Sequence, residues 1–287
     1  MGADQKVSEA VLKARRIVFE GNSQYRTPYS RELEGEFFDL IFDDGSEMIV
    51  SFPFRNRVSW TWEGRSYCET GHVMKAEDGA FYVMTEVAGS EPRQGLMLLL
   101  DVAERLVTGI FLQMGAVKER PNLVTREVKF GAIKDGDRPL PAKRHEYTKD
   151  LVGKKIDWAY SPDFNITHVY LADNCYTVAF NDEMKAKLKK QREENPDALP
   201  RMTMDPYYEE DCLYIKLREN LYLFSFIEKN LGGTQGMMII NTDRLHDVGS
   251  FWGPSPEGGR EGYMFSAYGR WVRDHIPEDD TLEKAGR

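Results

Sequence analysis

At 287 residues the chain is long for one hydrophobic core and long enough for two. Its 47 acidic against 38 basic residues leave a net charge of -9, which argues against a nucleic-acid backbone or an anionic membrane as principal partner. With 41% apolar and 30% charged residues it is too apolar for a disordered chain, and no apolar run approaches the ~20 residues that cross a bilayer.

The polar N-terminus MGADQKVSEA has no signal-peptide core, so a cytoplasmic protein is expected. Cys68, Cys175 and Cys212 are odd in number and far apart, which fits reduced thiols. Five scattered histidines without an HxH or HExxH spacing predict no metal site.

Ser8 can cap an N-terminal helix whose apolar positions include Val11, Leu12, Val18 and Phe19 and which ends near Gly21. Short aromatic and β-branched runs follow at 36–42, 47–52, 58–62, 65–69, 81–86, 95–101, 106–112 and 124–133. Their even spacing and turns such as Asp43-Asp44-Gly45 predict an up-and-down antiparallel barrel, which with the helix makes a first domain over 1–134. The polar segment 135–149, with Pro139, Pro141 and the basic Lys143-Arg144-His145, reads as a linker. A second barrel over 150–287 has predicted strands at 155–160, 165–171, 174–180, 211–217, 221–228, 235–240, 245–251 and 262–272. It carries an insertion at 181–206, where Asp182 to Asn195 predicts a helix, either a solvated surface element or a lid over the barrel mouth. The fold class expected is therefore mainly all-β, two tandem barrels with two helices.

The strongest internal repeat pairs Leu221 to Trp252 with Phe81 to Leu112. Each copy has an apolar run ending in one carboxylate (Glu228, Glu86) and a Gln-Gly pair (Gln235-Gly236, Gln94-Gly95). An Arg-Leu pair and a Gly-x-Phe (Gly249, Phe251; Gly109, Phe111) follow in both.

Side chains alternate along a strand, so Ile156, Trp158 and Tyr160 share one face, as do Ile166, His168 and Tyr170, and Phe224, Phe226 and Glu228. Glu228 in line with two buried aromatics would have a raised pKa and suit proton transfer; the plainer reading is a strand-end carboxylate paired with Lys229 or an arginine. His168 is a candidate acid or base opposite it, or a satisfied barrel histidine. Tyr160 can hold a substrate, with Tyr176 and Tyr214 as weaker candidates. In the first copy Leu40 and Phe42 fill the tyrosine positions, which predicts a structural barrel there.

Asp150-Leu151-Val152-Gly153, Trp158-Ala159-Tyr160, the run Asn165 to Leu171, and Leu221-Tyr222-Leu223-Phe224 with Glu228 resemble the molybdenum cofactor biosynthesis protein F (MoaF) family, most strongly over 150–272. That resemblance implies paired calycin (lipocalin-like) barrels. The second copy is also similar to phenolic acid decarboxylases, single calycin barrels that need no cofactor. There Tyr160 matches the second tyrosine of a Tyr-x-Tyr, Trp158 stands where the first would be, and Glu228 matches the acid. The chain reads Tyr207-Tyr208-Glu209-Glu210 where that family's arginine would be expected. The resemblance implies a cofactor-independent lyase or isomerase moving a proton on a small aromatic or polyketide-like molecule. Glu228, Tyr160 and His168 would act within a lining of Trp158, Tyr170, Tyr176, Tyr214, Phe224 and Phe226. A carrier or sensor using the same cavity is the alternative. The expected partner is a small hydrophobic or aromatic ligand, and a homodimer is left open.

Overall fold

The computed structural model describes residues 24–162, 164–180, 207–209, 211–228, 233–254 and 260–272, with Lys185, Ala186, Lys189, Lys190 and Glu193. The expected N-terminal helix lies outside the described residues. So do Met184 and Leu188, the apolar pair of the inserted helix; the five described residues there are helical but too few to establish it.

Eight strands form the first sheet: β1 (Phe37–Phe42), β2 (Glu47–Ser51), β3 (Arg57–Trp62), β4 (Arg65–Glu77), β5 (Ala80–Val87), β6 (Arg93–Asp101), β7 (Leu106–Met114) and β8 (Val124–Lys134). Each pairs antiparallel with the next and β8 returns to β1, closing the barrel. Alternate residues such as Leu40, Phe42, Val50, Trp60 and Leu98 fill its interior. β4 runs eight residues beyond its predicted end at Glu69. Gly71 permits this, because a Cβ there would lie 2.4 Å from the Val58 side chain.

The second sheet contains β9 (Glu146–Tyr147), β10 (Lys155–Ser161), β11 (Phe164–Ala172), β12 (Cys175–Phe180), β13 (Tyr207–Glu209), β14 (Cys212–Arg218), β15 (Leu221–Glu228), β16 (Thr234–Asn241), β17 (His246–Pro254) and β18 (Arg260–Trp271). Its order is β13-β12-β11-β10-β18-β17-β16-β15-β14-β9, and among the described residues no ladder closes it. Single bonds bridge part of the seam: Cys212 N donates to Asn174 O (3.4 Å) and Tyr214 Oη to Cys175 O (3.4 Å). β9 and β13 are the strands the pattern missed, each too short for alternation to show. The linker is also more ordered than its composition suggests. His145 is buried, with Nδ1 2.7 Å from Thr108 Oγ1 and Nε2 3.7 Å from Asp101. Among the described residues no helix is long and apolar enough to cross a membrane.

A third core lies between the sheets. Met84, Met97, Leu99, Ile110 and Leu112 from the outside of the first barrel pack with Leu221, Leu223, Met237, Ile239, Val248 and Trp252 from the outside of the second. This double burial explains why β6 and β16 are continuous apolar runs (LMLLL, MMII) where half-buried strands alternate. Bonds stitch the contact: Trp252 Nε1 donates to Glu86 Oε2 (3.1 Å), Arg218 Nε to Asp101 Oδ2 (2.7 Å) and Asn241 Nδ2 to Glu77 Oε2 (2.6 Å). Tyr82 and Ser250 join through their hydroxyls.

The repeat is real in topology but slipped in phase. The turns superpose through Asp101 and Asn241, whose Oδ1 atoms accept backbone N–H groups from Glu104 and Arg244, both at 2.9 Å. Ala80 pairs with Asp101 as Leu221 pairs with Asn241. Counting along the strands from those pairs, Val87 matches Glu228, and Glu86 matches Ile227. Arg105 (φ 58°) matches Leu245 (φ 49°), so the two Arg-Leu pairs are also offset by one, whereas Gly109 and Gly249 coincide. A slip of one residue exchanges the faces of a strand. Glu86 therefore points into the contact between barrels, and Glu228 shares the inward face of the second. The two carboxylates are not structural counterparts.

Candidate functional site

The inward faces of β10, β11, β12, β14 and β15 bring the predicted aromatic residues together. Trp158, Tyr160, Tyr170, Tyr176, Tyr214, Phe224 and Phe226 all belong to one buried cluster inside the second sheet. Tyr214 stacks on Phe224 with ring centres 5.2 Å apart, and Phe224 on Phe226 at 4.9 Å. Trp158 Nε1 donates to Tyr170 Oη at 3.3 Å, while the Tyr214 hydroxyl turns to the seam. Burial pushes the Tyr160, Tyr170 and Tyr214 phenols well above their ordinary pKa, so they stay protonated at physiological pH.

Glycine backbone makes room for these rings. A Cβ on Gly236 would lie 2.2 Å from the Phe226 ring, and one on Gly269 2.8 Å from Trp158. Gly236→Ala should therefore overpack the interior and cost about 1–3 kcal/mol, measured by urea unfolding.

His168 is enclosed by Tyr170, Tyr176, Phe224 and Phe226, with ring centres 5.9–6.4 Å away. Its Nδ1 is buried without a hydrogen-bond partner among the described residues. Burial lowers its pKa from 6.5 to about 3, so the imidazole is neutral at physiological pH.

Glu228 occupies a different position. It is half-buried at the end of β15, pairs across to Thr234, and its carbonyl accepts the Gly233 N–H at 2.9 Å. It belongs at the rim of the interior, where its charge helps raise the Tyr160 pKa. Tyr160 lies deeper, its hydroxyl 3.9 Å from the Met238 sulfur.

The deeper carboxyl is one the sequence reading passed over. Asp247 alternates with Val248, Ser250 and Trp252, which face the first barrel, and so shares the inward face with Gly249 and Phe251. It pairs across to Ile240 and Ala267, both members of the interior cluster. The side chain is fully buried; Oδ1 accepts the Ala267 N–H at 2.6 Å, and Oδ2 has no partner among the described residues. Burial without a cation raises its pKa well above the ordinary carboxyl range. Asp247 also heads the neighbouring groups that lift Tyr160. The signal was available: two-residue alternation back from Gly249 and Phe251 reaches Asp247.

Among the described residues, no three His, Cys, Asp or Glu side chains are grouped as a metal ion would require. Arg270 is exposed and bonded to Asp157 (2.8 Å). Arg126, which reaches β14 from the first barrel, is held by Asp211 at 2.7 Å.

No family model matches the chain. A curated protein, "Protein MoaF" of Klebsiella aerogenes, is 25% identical over 142 residues. The match covers 50% of this chain and 45% of that protein, so the chain spans less than half of that relative's length. Over half its length, then, this protein of two curled antiparallel sheets is similar to a MoaF protein.

Proposed function

We propose that the interior of the second barrel binds a small flat molecule, aromatic or polyketide-like, and moves a proton on it without a cofactor, as an isomerase or lyase. The observation that carries this reading is a pair of buried polar atoms without partners among the described residues, Asp247 Oδ2 and His168 Nδ1, both on strands whose inward faces build the interior cluster. Burial raises the pKa of the first and lowers that of the second and so favours the neutral form of each, a carboxyl with a proton to give and an imidazole with a lone pair to receive one. His168 would take a proton from substrate carbon while Asp247 delivers one to the far end of the conjugated system, so the substrate is isomerised. Glu228 at the rim would return protons between this compartment and solvent, and Tyr160 would orient the substrate.

The resemblance of Tyr160 and Glu228 to residues of phenolic acid decarboxylases, which rests on the sequence alone, would favour a cofactor-free proton transfer but not decarboxylation itself. The arginine that would hold a substrate carboxylate has no counterpart among the described residues of the interior. A proton shift on a substrate without that carboxylate fits the residues better. The alternative is a carrier, favoured by the ring-on-ring packing of Tyr214, Phe224 and Phe226, which binds without supplying chemistry.

The test begins with native mass spectrometry of protein from its own host, to find a retained small molecule. That molecule is then incubated with the protein in D2O. Wild-type protein should place solvent deuterium on ligand carbon, and Asp247→Asn should bind it without exchange. A retained ligand that wild-type protein never labels would assign the barrel to carriage.

A further inference from the structure

The first barrel, which the sequence reading treats as structural, has a cavity of about 270 Å³ at one end. The segment from Tyr29 to Glu34 crosses that end and is fixed on both sides by backbone bonds. Ser30 N donates to Val73 O (2.8 Å), Gly35 N to Phe52 O (2.7 Å) and Phe52 N to Glu36 O (3.0 Å). The opposite wall is the turn between β2 and β3, held by Arg57 N to Phe54 O (3.1 Å) and Gly71 N to Asn56 O (3.2 Å). The cavity is thus built by main chain and is present without a ligand.

Its chemistry is two-sided. Leu33, Phe52 and Val73 make an apolar floor continuous with the barrel core. Phe54 lines the same space and is 61% exposed, so a ligand there would cover apolar surface that water now meets. Three arginines also line the space. Arg31 is already closed by Glu34, Nη2 to Oε2 at 2.7 Å. Arg55 and Arg57 form no ion pair among the described residues. Glu34 also lines the cavity and its charge acts on Arg55, but three guanidinium groups against one carboxylate leave the lining net positive.

We propose that this cavity binds an aromatic carboxylate. The ring would lie on Phe52 and Phe54 above Leu33, and the carboxylate would meet the planar forks of Arg55 and Arg57. The volume is at the small end of ligand pockets, which run from roughly 300 to 1,000 Å³, so a single-ring acid fits better than a fused system. Inorganic phosphate would satisfy the arginines but leave the apolar floor and Phe54 uncovered.

The probes for calorimetric titration of the full chain are cinnamate, cinnamamide and inorganic phosphate. Cinnamate should saturate one site, and the amide and phosphate should bind much more weakly. Arg55→Ala, at an exposed position that the fold does not need, and Arg57→Lys, which keeps the charge and loses the fork, should each weaken cinnamate by roughly tenfold or more. Asp247→Asn should leave this binding unchanged, which separates it from any ligand of the second barrel. Absence of saturable cinnamate binding, equal binding of the amide or of phosphate, or indifference to both arginine substitutions would overturn the proposal.

Discussion

Asp247→Asn should make the protein more stable at pH 7 while abolishing proton transfer. The wild-type side chain is buried against Ala267 N, with one oxygen unpartnered, and its pKa is raised by desolvation. Below about pH 4 the carboxyl is protonated in both folded and unfolded chains and has no effect on the balance. Above it the unfolded chain ionises and the folded one does not, so stability falls by about 1.4 kcal/mol per pH unit until the folded-state pKa is reached. Asparagine keeps the shape and accepts the Ala267 N–H through its own oxygen, but leaves the two N–H groups of Nδ2 unpartnered where the protonated acid leaves one O–H. The stability of the variant relative to wild type should therefore be constant below about pH 4 and grow as pH rises above it, which urea unfolding at several pH values would show. A carboxyl retained at that cost fits a functional group better than a packing residue.

His168 acts with the opposite sign. Its folded pKa is lowered, so the unfolded chain binds an extra proton between about pH 6.5 and 3, and stability falls as pH drops through that range. Between roughly pH 4 and 6.5 the two residues offset each other. Their joint contribution is a plateau, with loss toward alkaline pH from Asp247 and toward acid pH from His168.

The second large effect is expected at the contact between barrels. Trp252 is 1% exposed, lies on the backbone of Gly95, where a Cβ would be 2.9 Å from the ring, and donates to Glu86. Trp252→Ala should cost about 3–5 kcal/mol, since the hole is walled by two sheets that cannot close on it independently. The Glu86 carboxylate would also lose the Trp252 N–H. In urea the two barrels should unfold in one transition in the wild-type protein, because Met97, Leu99, Leu223 and Ile239 are buried only while the sheets stay together. Separate transitions would show that the shared core contributes little.

Alternation of apolar side chains placed the long strands within a few residues, β4 excepted, and it placed Trp158 and Tyr160 on one buried face and His168 and Tyr170 on another. Turn glycines such as Gly45 and Gly64, at φ 84° and 74°, marked the connections for a physical reason, since other residues are strained there. What alternation does not give is which face of a doubly buried strand looks inward. β5, β6, β15 and β16 are apolar on both faces, so matching Gln-Gly to Gln-Gly slipped the repeat by one and cast Glu86 as an equivalent of Glu228. The same ambiguity hid Asp247, whose inward position is set by pairing with Ile240 and Ala267. The arginine-lined cavity was invisible because Arg55 and Arg57, close in sequence, meet Arg31, Leu33 and Val73 only through tertiary structure.

The proposed proton transfer rests on the protonation states of Asp247 and His168. Carbon-13 NMR of the Asp247 carboxyl and the His168 ring, followed from pH 3 to 8, measures both directly. An Asp247 carboxyl still protonated at pH 7 and a His168 ring that remains neutral down to about pH 3 are the expected results. An Asp247 that ionises near pH 4, or a His168 that titrates near 6.5, would contradict that transfer.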